Sequence, residues 1–486
     1  MNRQIRGLGI ALVVLFGALF VQVNYLQVFA ADRLNDHPAN TRTVVRDFSA
    51  PRGVVQTADG VVVARSVETD DQFERRREYP EGPLFAHVTG YFSFTYGSDG
   101  VERTYNDELV GRDREINLDD LRDLLVDTDR TGDITLTISA ALQRVAADAL
   151  GQREGAVVAL DPRTGAVLAM VDYPTYDPNP LADHDQSVVR QAWSGLEADL
   201  ARPLVPRAYR ERYFPGSSFK VVTAATALEA GVATPTEPVY PTLRELPLPL
   251  TDQTLSNFAG EACGGNLTES LRRSCNTTFA RVGLDVGAAD LAAGARAFGF
   301  ASVPPFDLPF GVASTFPEPE AFERNEPALA KSAIGQQDVA ATPLQMALVA
   351  SAIANDGVIM EPHVLGEVRA DDGTLIRKFE PREWRRAVPA RVAYEVRDMM
   401  VGVVQGGTGR AAQIPGVTVG GKTGTAETGR DTSHTWFVAF APAEAPEVAV
   451  AVVLADVPNA EDPQGGRLAA PVARTVLEAA LAGRGS

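Results

Sequence analysis

At 486 residues the chain exceeds what one ordinary core organises, so two folded parts are expected, the second of them large. Apolar residues make up 45% and charged residues 22%, a globular balance that excludes wholesale disorder. The formal charge of −18, without any concentration of Lys and Arg, excludes DNA and RNA as partners, because phosphate binding needs clustered positive charge.

Arg3 and Arg6 precede an almost uninterrupted apolar stretch from Gly7 to Val23 that continues less purely to Ala30. A bilayer core needs about 20 apolar residues, whereas a cleavable signal has an apolar region of roughly 7 to 15. The stretch is read as an uncleaved signal anchor with its positive end in the cytoplasm and everything after Ala30 outside. Cleavage after Val28-Phe29-Ala30 is the alternative, and it exports the chain equally. Residues 31–133 are charged and turn-rich with short apolar runs such as Gly53 to Ala64, the pattern of a small β-rich module. A boundary is placed at Thr131-Gly132-Asp133, and residues 134–486 form the larger domain.

That domain opens with a β-type run, Ile134 to Ile138, and a helix whose buried face carries Leu142, Val145, Ala146, Ala149 and Leu150. Ala156 to Leu160 and Ala166 to Val171 flank the turn Asp161-Pro162-Arg163-Thr164-Gly165 and predict a β-hairpin. Helices are predicted over Phe219 to Leu228, Leu267 to Val282, Leu344 to Ala354 and Val392 to Val404. Strands follow at Val417 to Lys422, His434 to Ala441 and Val448 to Val457, with a closing helix from Ala470 to Ala482. Strands at both ends with helices between them imply an α+β domain, one antiparallel sheet completed by both chain segments and flanked by helices.

Two cysteines, Cys263 and Cys275, match neither a zinc knuckle nor a redox CxxC, so no metal is expected. Outside the cytoplasm they either close a disulfide, contributing about 3 kcal/mol, or remain two buried thiols.

In Pro215-Gly216-Ser217-Ser218-Phe219-Lys220 a serine stands where a turn enters a helix, with a lysine three residues on, on the same face. A serine is a weak nucleophile until a neighbouring base takes its proton, and a partly buried lysine is suited to that task. Ser218 lacks a lysine at that offset. The pair alone is equally an N-cap serine and a solvated lysine. Downstream come Ser274-Cys275-Asn276, within the predicted helix Leu267 to Val282, and Lys422-Thr423-Gly424-Thr425 at the end of a strand. Ser-x-x-Lys, Ser-x-Asn and Lys-Thr-Gly in this order are a known signature of penicillin-binding proteins and class A β-lactamases. Ser274 offers a hydroxyl relay, Asn276 an orienting amide and Lys422 a positive charge. Thr423 and Thr425 offer hydroxyls for a carboxylate, and Gly424 permits close approach of substrate to the strand. Gly416 to Thr423 also satisfies the Walker A pattern, but no buried strand precedes it and Gly424 to Gly429 cannot start a helix, so a nucleotide site is rejected.

With those elements in place the chain resembles the class B penicillin-binding proteins, within them the actinobacterial penicillin-binding protein A branch. The likeness includes Arg52-Gly53, Thr89-Gly90-Tyr91, Gly100-Val101-Glu102, Ala159-Leu160-Asp161-Pro162, Ile334-Gly335-Gln336-Gln337, Thr342-Pro343-Leu344-Gln345, Gly407-Thr408-Gly409 and Trp436-Phe437. It implies a penicillin-binding, β-lactamase-like transpeptidase domain behind a β-rich N-terminal pedestal. It also implies acylation of Ser217 by a peptidoglycan stem ending in D-Ala-D-Ala, cross-linking to a neighbouring stem, trapping by β-lactams, and no cofactor. Lys220 is then the base, Ser274 and Asn276 the relay and orienting groups, Lys422 and Thr423 the carboxylate side, and the N–H groups of Ser217 and Thr425 the oxyanion hole. Division or elongation membrane proteins are the implied partners of the pedestal. Thr57-Ala58-Asp59-Gly60 departs from the family's usual Asp-Arg-Asn-Gly, which puts those partner contacts in doubt. A D,D-carboxypeptidase, a β-lactamase, and a silent scaffold or β-lactam sensor are the competing readings.

Overall fold

The computed structural model describes residues 2–25, 48–111 and 131–484. The chain divides into two compact units, Met1–Pro51 with Val67–Arg76, and Arg52–Ser66 with Arg77–Ser486. In the first, α1 (Asn2–Asn24) contains a 19-residue stretch, Arg6–Asn24, long and apolar enough to cross a membrane, and side chains such as Leu8, Val13 and Phe16 are exposed along it. The apolar continuation to Ala30 and the alternative cleavage point lie outside the described residues.

Two larger sheets are present, the second of them wholly within the second unit. One is built from β1 (Val55–Gln56), β2 (Val62–Glu68), β3 (Arg75–Glu78), β4 (Gly132–Leu136), β7 (Leu365–Ala370) and β8 (Leu375–Lys378), in the order β8-β7-β4-β1-β2-β3. β1 runs parallel to β4, with Val55 opposite Ile134, and β4 runs antiparallel to β7, with Ile134 opposite Val368. The expected junction between Asp133 and Ile134 therefore lies within a strand. Asp59, in the segment that departs from the family pattern, accepts the Ala140 and Ala141 N–H groups at 2.8 and 3.0 Å and the Ser139 hydroxyl at 3.0 Å. It thereby caps α2 (Ala140–Leu150), satisfying donors that the first turn of a helix leaves unpaired.

The other sheet has the order β9-β10-β11-β5-β6, from β5 (Gly155–Leu160), β6 (Val167–Tyr173), β9 (Gly420–Glu427), β10 (Thr432–Ala441) and β11 (Val448–Pro458), all antiparallel. The predicted hairpin is β5 and β6. Its strands are apolar on both sides because both faces are covered. Val158 and Leu160 join the core with α6 (Pro343–Ala354), while Val157 and Ala159 join the opposite core with α2 and α8 (Gly465–Arg484). Every residue of α6 is buried, the property of a helix with no polar face.

Two sequence expectations are corrected. The predicted strand Val417 to Lys422 begins only at Gly420 and extends to Glu427, so Lys422 to Thr425 lie in mid-strand, on the sheet's edge, rather than at its end. The predicted helix Leu267 to Val282 is two helices, α4 (Leu267–Arg273) and α5 (Asn276–Val286), broken at Ser274. Cys263 and Cys275 are joined as a disulfide, with Cα atoms 5.5 Å apart.

Candidate active site

Ser274 has φ 60° and ψ 41°, a left-handed conformation unfavourable for a residue with a Cβ. Its N–H bonds to Leu271 O at 3.1 Å, and that of Cys275 bonds to Ser270 O at 2.9 Å, the paired closure that ends many helices. A serine in a position that favours glycine is a strained residue of the kind that collects at functional sites. The break turns both the Ser274 carbonyl and its hydroxyl inward. Lys220, first residue of α3 (Lys220–Glu229), donates to Ser274 O at 2.8 Å and to Asn276 Oδ1 at 2.7 Å, and stands 3.4 Å from Ser274 Oγ. From the other side, Lys422 on β9 donates to Ser274 Oγ at 2.8 Å and to Thr423 O at 2.8 Å. All three sequence elements thus converge on Ser274.

Both lysines are fully buried, and none of the partners just named carries a negative charge. Burial, and then the neighbouring Lys422 cation, push the Lys220 amine well below the usual lysine range. Burial brings Lys422 down to about 7. A neutral Lys220 has two N–H bonds, and the Ser274 carbonyl and the Asn276 amide oxygen accept them; its lone pair is left for another proton.

Ser217 lies in the tight turn Gly216–Phe219 that leads into α3 and is half-buried. Its hydroxyl makes no hydrogen bond to any described residue. Ser218, by contrast, is fully buried and donates its hydroxyl to Pro215 O at 2.7 Å. The turn is locked to its surroundings by backbone contacts. Gly216 donates to Gly335 O at 2.9 Å, and Trp436 Nε1 donates to Phe214 O at 2.9 Å. Gly216 has φ +52°, and a Cβ there would collide with the Thr425 carbonyl. A Cβ on Gly424 would lie 2.6 Å from Pro215 O and 2.8 Å from Trp436 Cβ. The turn that carries Ser217 and the packing of Trp436 thus already demand glycine at 424, independently of the close approach of substrate that the sequence reading assigned to it.

Thr423 is buried, and Thr425 accepts a hydrogen bond from Gly465 N, at the start of α8, at 3.4 Å. Sequence reasoning assigned no role to Thr408, whose hydroxyl lies 2.7 Å from that of Thr423. The two flanking glycines were the available signal. Nor did it choose between disulfide and thiols for Cys275, the residue between Ser274 and Asn276. Among the described residues no cluster of His, Cys, Asp or Glu could hold a metal ion.

Residues 155–478 match the penicillin binding protein transpeptidase domain, and residues 52–134 match the penicillin binding protein A dimerisation domain. The chain is 42% identical to the peptidoglycan D,D-transpeptidase PbpA of Mycolicibacterium smegmatis, across 99% of each chain. It is also 42% identical to PbpA of Mycobacterium tuberculosis, across 99% of this chain and 100% of that one. Among solved structures, the ceftriaxone acyl-enzyme complex of penicillin-binding protein A from M. tuberculosis aligns with a TM-score of 0.82 at 40% identity, covering 90% of this chain and 100% of the other. The D,D-transpeptidase domain of a peptidoglycan glycosyltransferase from Eggerthella lenta aligns with a TM-score of 0.78 at 38% identity, covering 90% and 99%.

Proposed function

The chain belongs to the class B penicillin-binding proteins and is a peptidoglycan D,D-transpeptidase, and from that premise we propose that Ser217 is its acylated nucleophile. The observation that carries the assignment is the position of Lys220. It is buried, shifted toward the neutral amine, held by two acceptors and one turn of chain from a hydroxyl that bonds to no described residue.

In the proposed reaction Lys220 takes the Ser217 proton as Oγ attacks the carbonyl carbon of the penultimate D-Ala of a stem. The oxyanion is met by the N–H groups of Ser217 and Thr425. Two contacts favour this use of β9: the Thr425 carbonyl faces Gly216, and that of Thr423 accepts from Lys422. In an extended strand the N–H and C=O of one residue point to the same side, so the Thr425 N–H shares the unpaired edge that faces the turn. As the C–N bond breaks, the leaving D-Ala amine takes a proton through Ser274 Oγ, which lies within reach of both lysines. The resulting ester is attacked by the amine of a neighbouring stem. Lys220 accepts that amine's proton, the new amide forms and the Ser217 hydroxyl is restored. Lys422 and Thr423, with Gly424 and Thr425 on the same strand, form the side that receives the terminal carboxylate. A β-lactam enters by the same attack, its ring C–N bond taking the place of the peptide bond.

We also propose a division of labour along the chain: residues 1–30 as cytoplasmic stub and single-pass anchor, 31–133 as pedestal, and 134–486 as the catalytic part outside the membrane. α1 fits such an anchor by length and composition. The pedestal is proposed to meet membrane proteins of the division or elongation machinery.

The test is labelling with a fluorescent penicillin. The native chain is expected to be labelled covalently and Ser217→Ala to remain unlabelled, whereas persistent labelling of that variant would refute the nucleophile assignment.

A further inference from the structure

The mechanism above leaves Gly407-Thr408-Gly409 without a task. This segment follows α7 (Ala390–Gly406) and is pinned by backbone bonds: Gly407 N to Val403 O at 3.0 Å, Thr408 N to Arg272 O at 3.3 Å and Gly409 N to Val403 O at 3.0 Å. A side chain at position 407 would collide with the Arg272 carbonyl, so the segment sits tightly against the end of α4. Held this way, Thr408 brings its hydroxyl to 2.7 Å from that of Thr423. Thr408 is itself exposed, so burial does not force its hydroxyl to find a protein partner. Thr423 is only 7% exposed, and its Oγ1 also lies 3.5 Å from Lys422 Nζ.

We propose that Thr408 is a positioning residue for recognition of the substrate's terminal carboxylate: its hydroxyl donates to Thr423 Oγ1 and so leaves the one Thr423 proton directed at the ligand. A hydroxyl has one proton and two lone pairs. With Thr408 and Lys422 as donors, both lone pairs of Thr423 Oγ1 are filled, and its own proton has no acceptor until a carboxylate arrives. Without Thr408, the rotor is free to turn that proton away or to share it with water. The inference rests on the reading of Thr423 as a carboxylate-binding residue.

The experiment uses the full chain in detergent and two donors: an N-acyl-D-alanyl thioester whose leaving group ends in a free carboxylate, and the same thioester capped as its carboxamide. Thr408→Val is expected to lower kcat/KM for the carboxylate donor by about tenfold, the size of one charge-assisted hydrogen bond, mainly through KM. The carboxamide donor is expected to stay within about twofold, and Thr408→Ser to restore the native preference. An equal loss on both donors would show a merely structural role and overturn the proposal, as would no loss on either. Thr423→Val separates the two layers. If it erases the carboxylate preference while Thr408→Val leaves it intact, only the present inference falls. If Thr423→Val also leaves the preference intact, the carboxylate assignment of Thr423 falls with it.

Discussion

Two places in the molecule bury pairs of cationic side chains, and they do so in opposite ways. In the N-terminal part, Arg52 and Arg77 each donate to Glu102 at 2.6 Å, with all three side chains almost fully buried. Burial favours the neutral acid at Glu102, but the two guanidinium groups outweigh it and hold the carboxyl below its usual range. At the site, Lys220 and Lys422 are equally buried, yet their bonds go to carbonyl, amide and hydroxyl oxygens. Without a counter-charge the proton is loosely held. Arginine stays protonated and makes a fixed strut, whereas lysine gives up its proton more readily in the same dry surroundings, which suits Lys220 to the base role proposed for it. Partner chemistry and side-chain type, rather than burial, separate the ion-paired strut from the lysine pair.

The comparison breaks most sharply at Lys220. Lys220→Ala is expected to slow acylation by penicillin about 10²- to 10⁴-fold, the usual contribution of a general base. Lys220→Arg should be nearly as slow, because a guanidinium keeps its protons at any working pH. Stopped-flow acylation rates decide this, and an active arginine variant would show that charge rather than basicity matters at that position. Next in size is the strut. Glu102→Gln strands two buried guanidinium groups and should destabilise the fold by about 3–5 kcal/mol in chemical unfolding. Acylation per folded molecule should be unchanged, and loss of acylation with normal stability would contradict the separation of the two regions.

The smallest effect is a pH profile that sharpens the distinction. The cationic form of Lys422 is present below about 7 and lost as pH rises through that value. Lys220 needs the reverse: its neutral form is present above its lowered pKa and lost as pH falls through it. The second-order acylation rate should therefore fall on both sides of an optimum, with the alkaline limb near pH 7. Lys422→Arg should move that limb upward, since the replacement stays charged. An unmoved limb would assign it to another group.

Elements whose cause is local were legible in the amino-acid order. The β5–β6 hairpin follows from two apolar runs around Asp161-Pro162-Arg163-Thr164-Gly165, and the neighbourhood of Ser217 and Lys220 follows from a helix turn. The break at Ser274 was hidden, because its side chain does not signal a left-handed residue as glycine does; the conformation is held by the ends of two helices and by the lysines. The true start of β9 was hidden for a related reason: Val417 to Val419 are as apolar as a strand, but pairing with β10 begins only where Gly420 meets Phe440. The strut was invisible as a unit because Arg52, Arg77 and Glu102 are distant in sequence, although Arg52 and Glu102 both lie in segments that carried the family likeness. Thr408 and Thr423 meet across fifteen residues, a contact that no local pattern announces.

With Ser217 as the proposed nucleophile, the glycines packed around its turn bear on how resistance could evolve. Gly335 abuts the Gly216 carbonyl, Gly216 abuts that of Thr425, Gly424 abuts that of Pro215, and Gly465 abuts that of Gly424. Where backbone presses directly on backbone, an added Cβ has no flexible neighbour to push aside, so on the proposed role of Ser217 a substitution at these glycines is expected to lower drug capture and cross-linking together. Resistance changes are therefore expected outside this stack, at positions where side chains rather than backbone make the contacts.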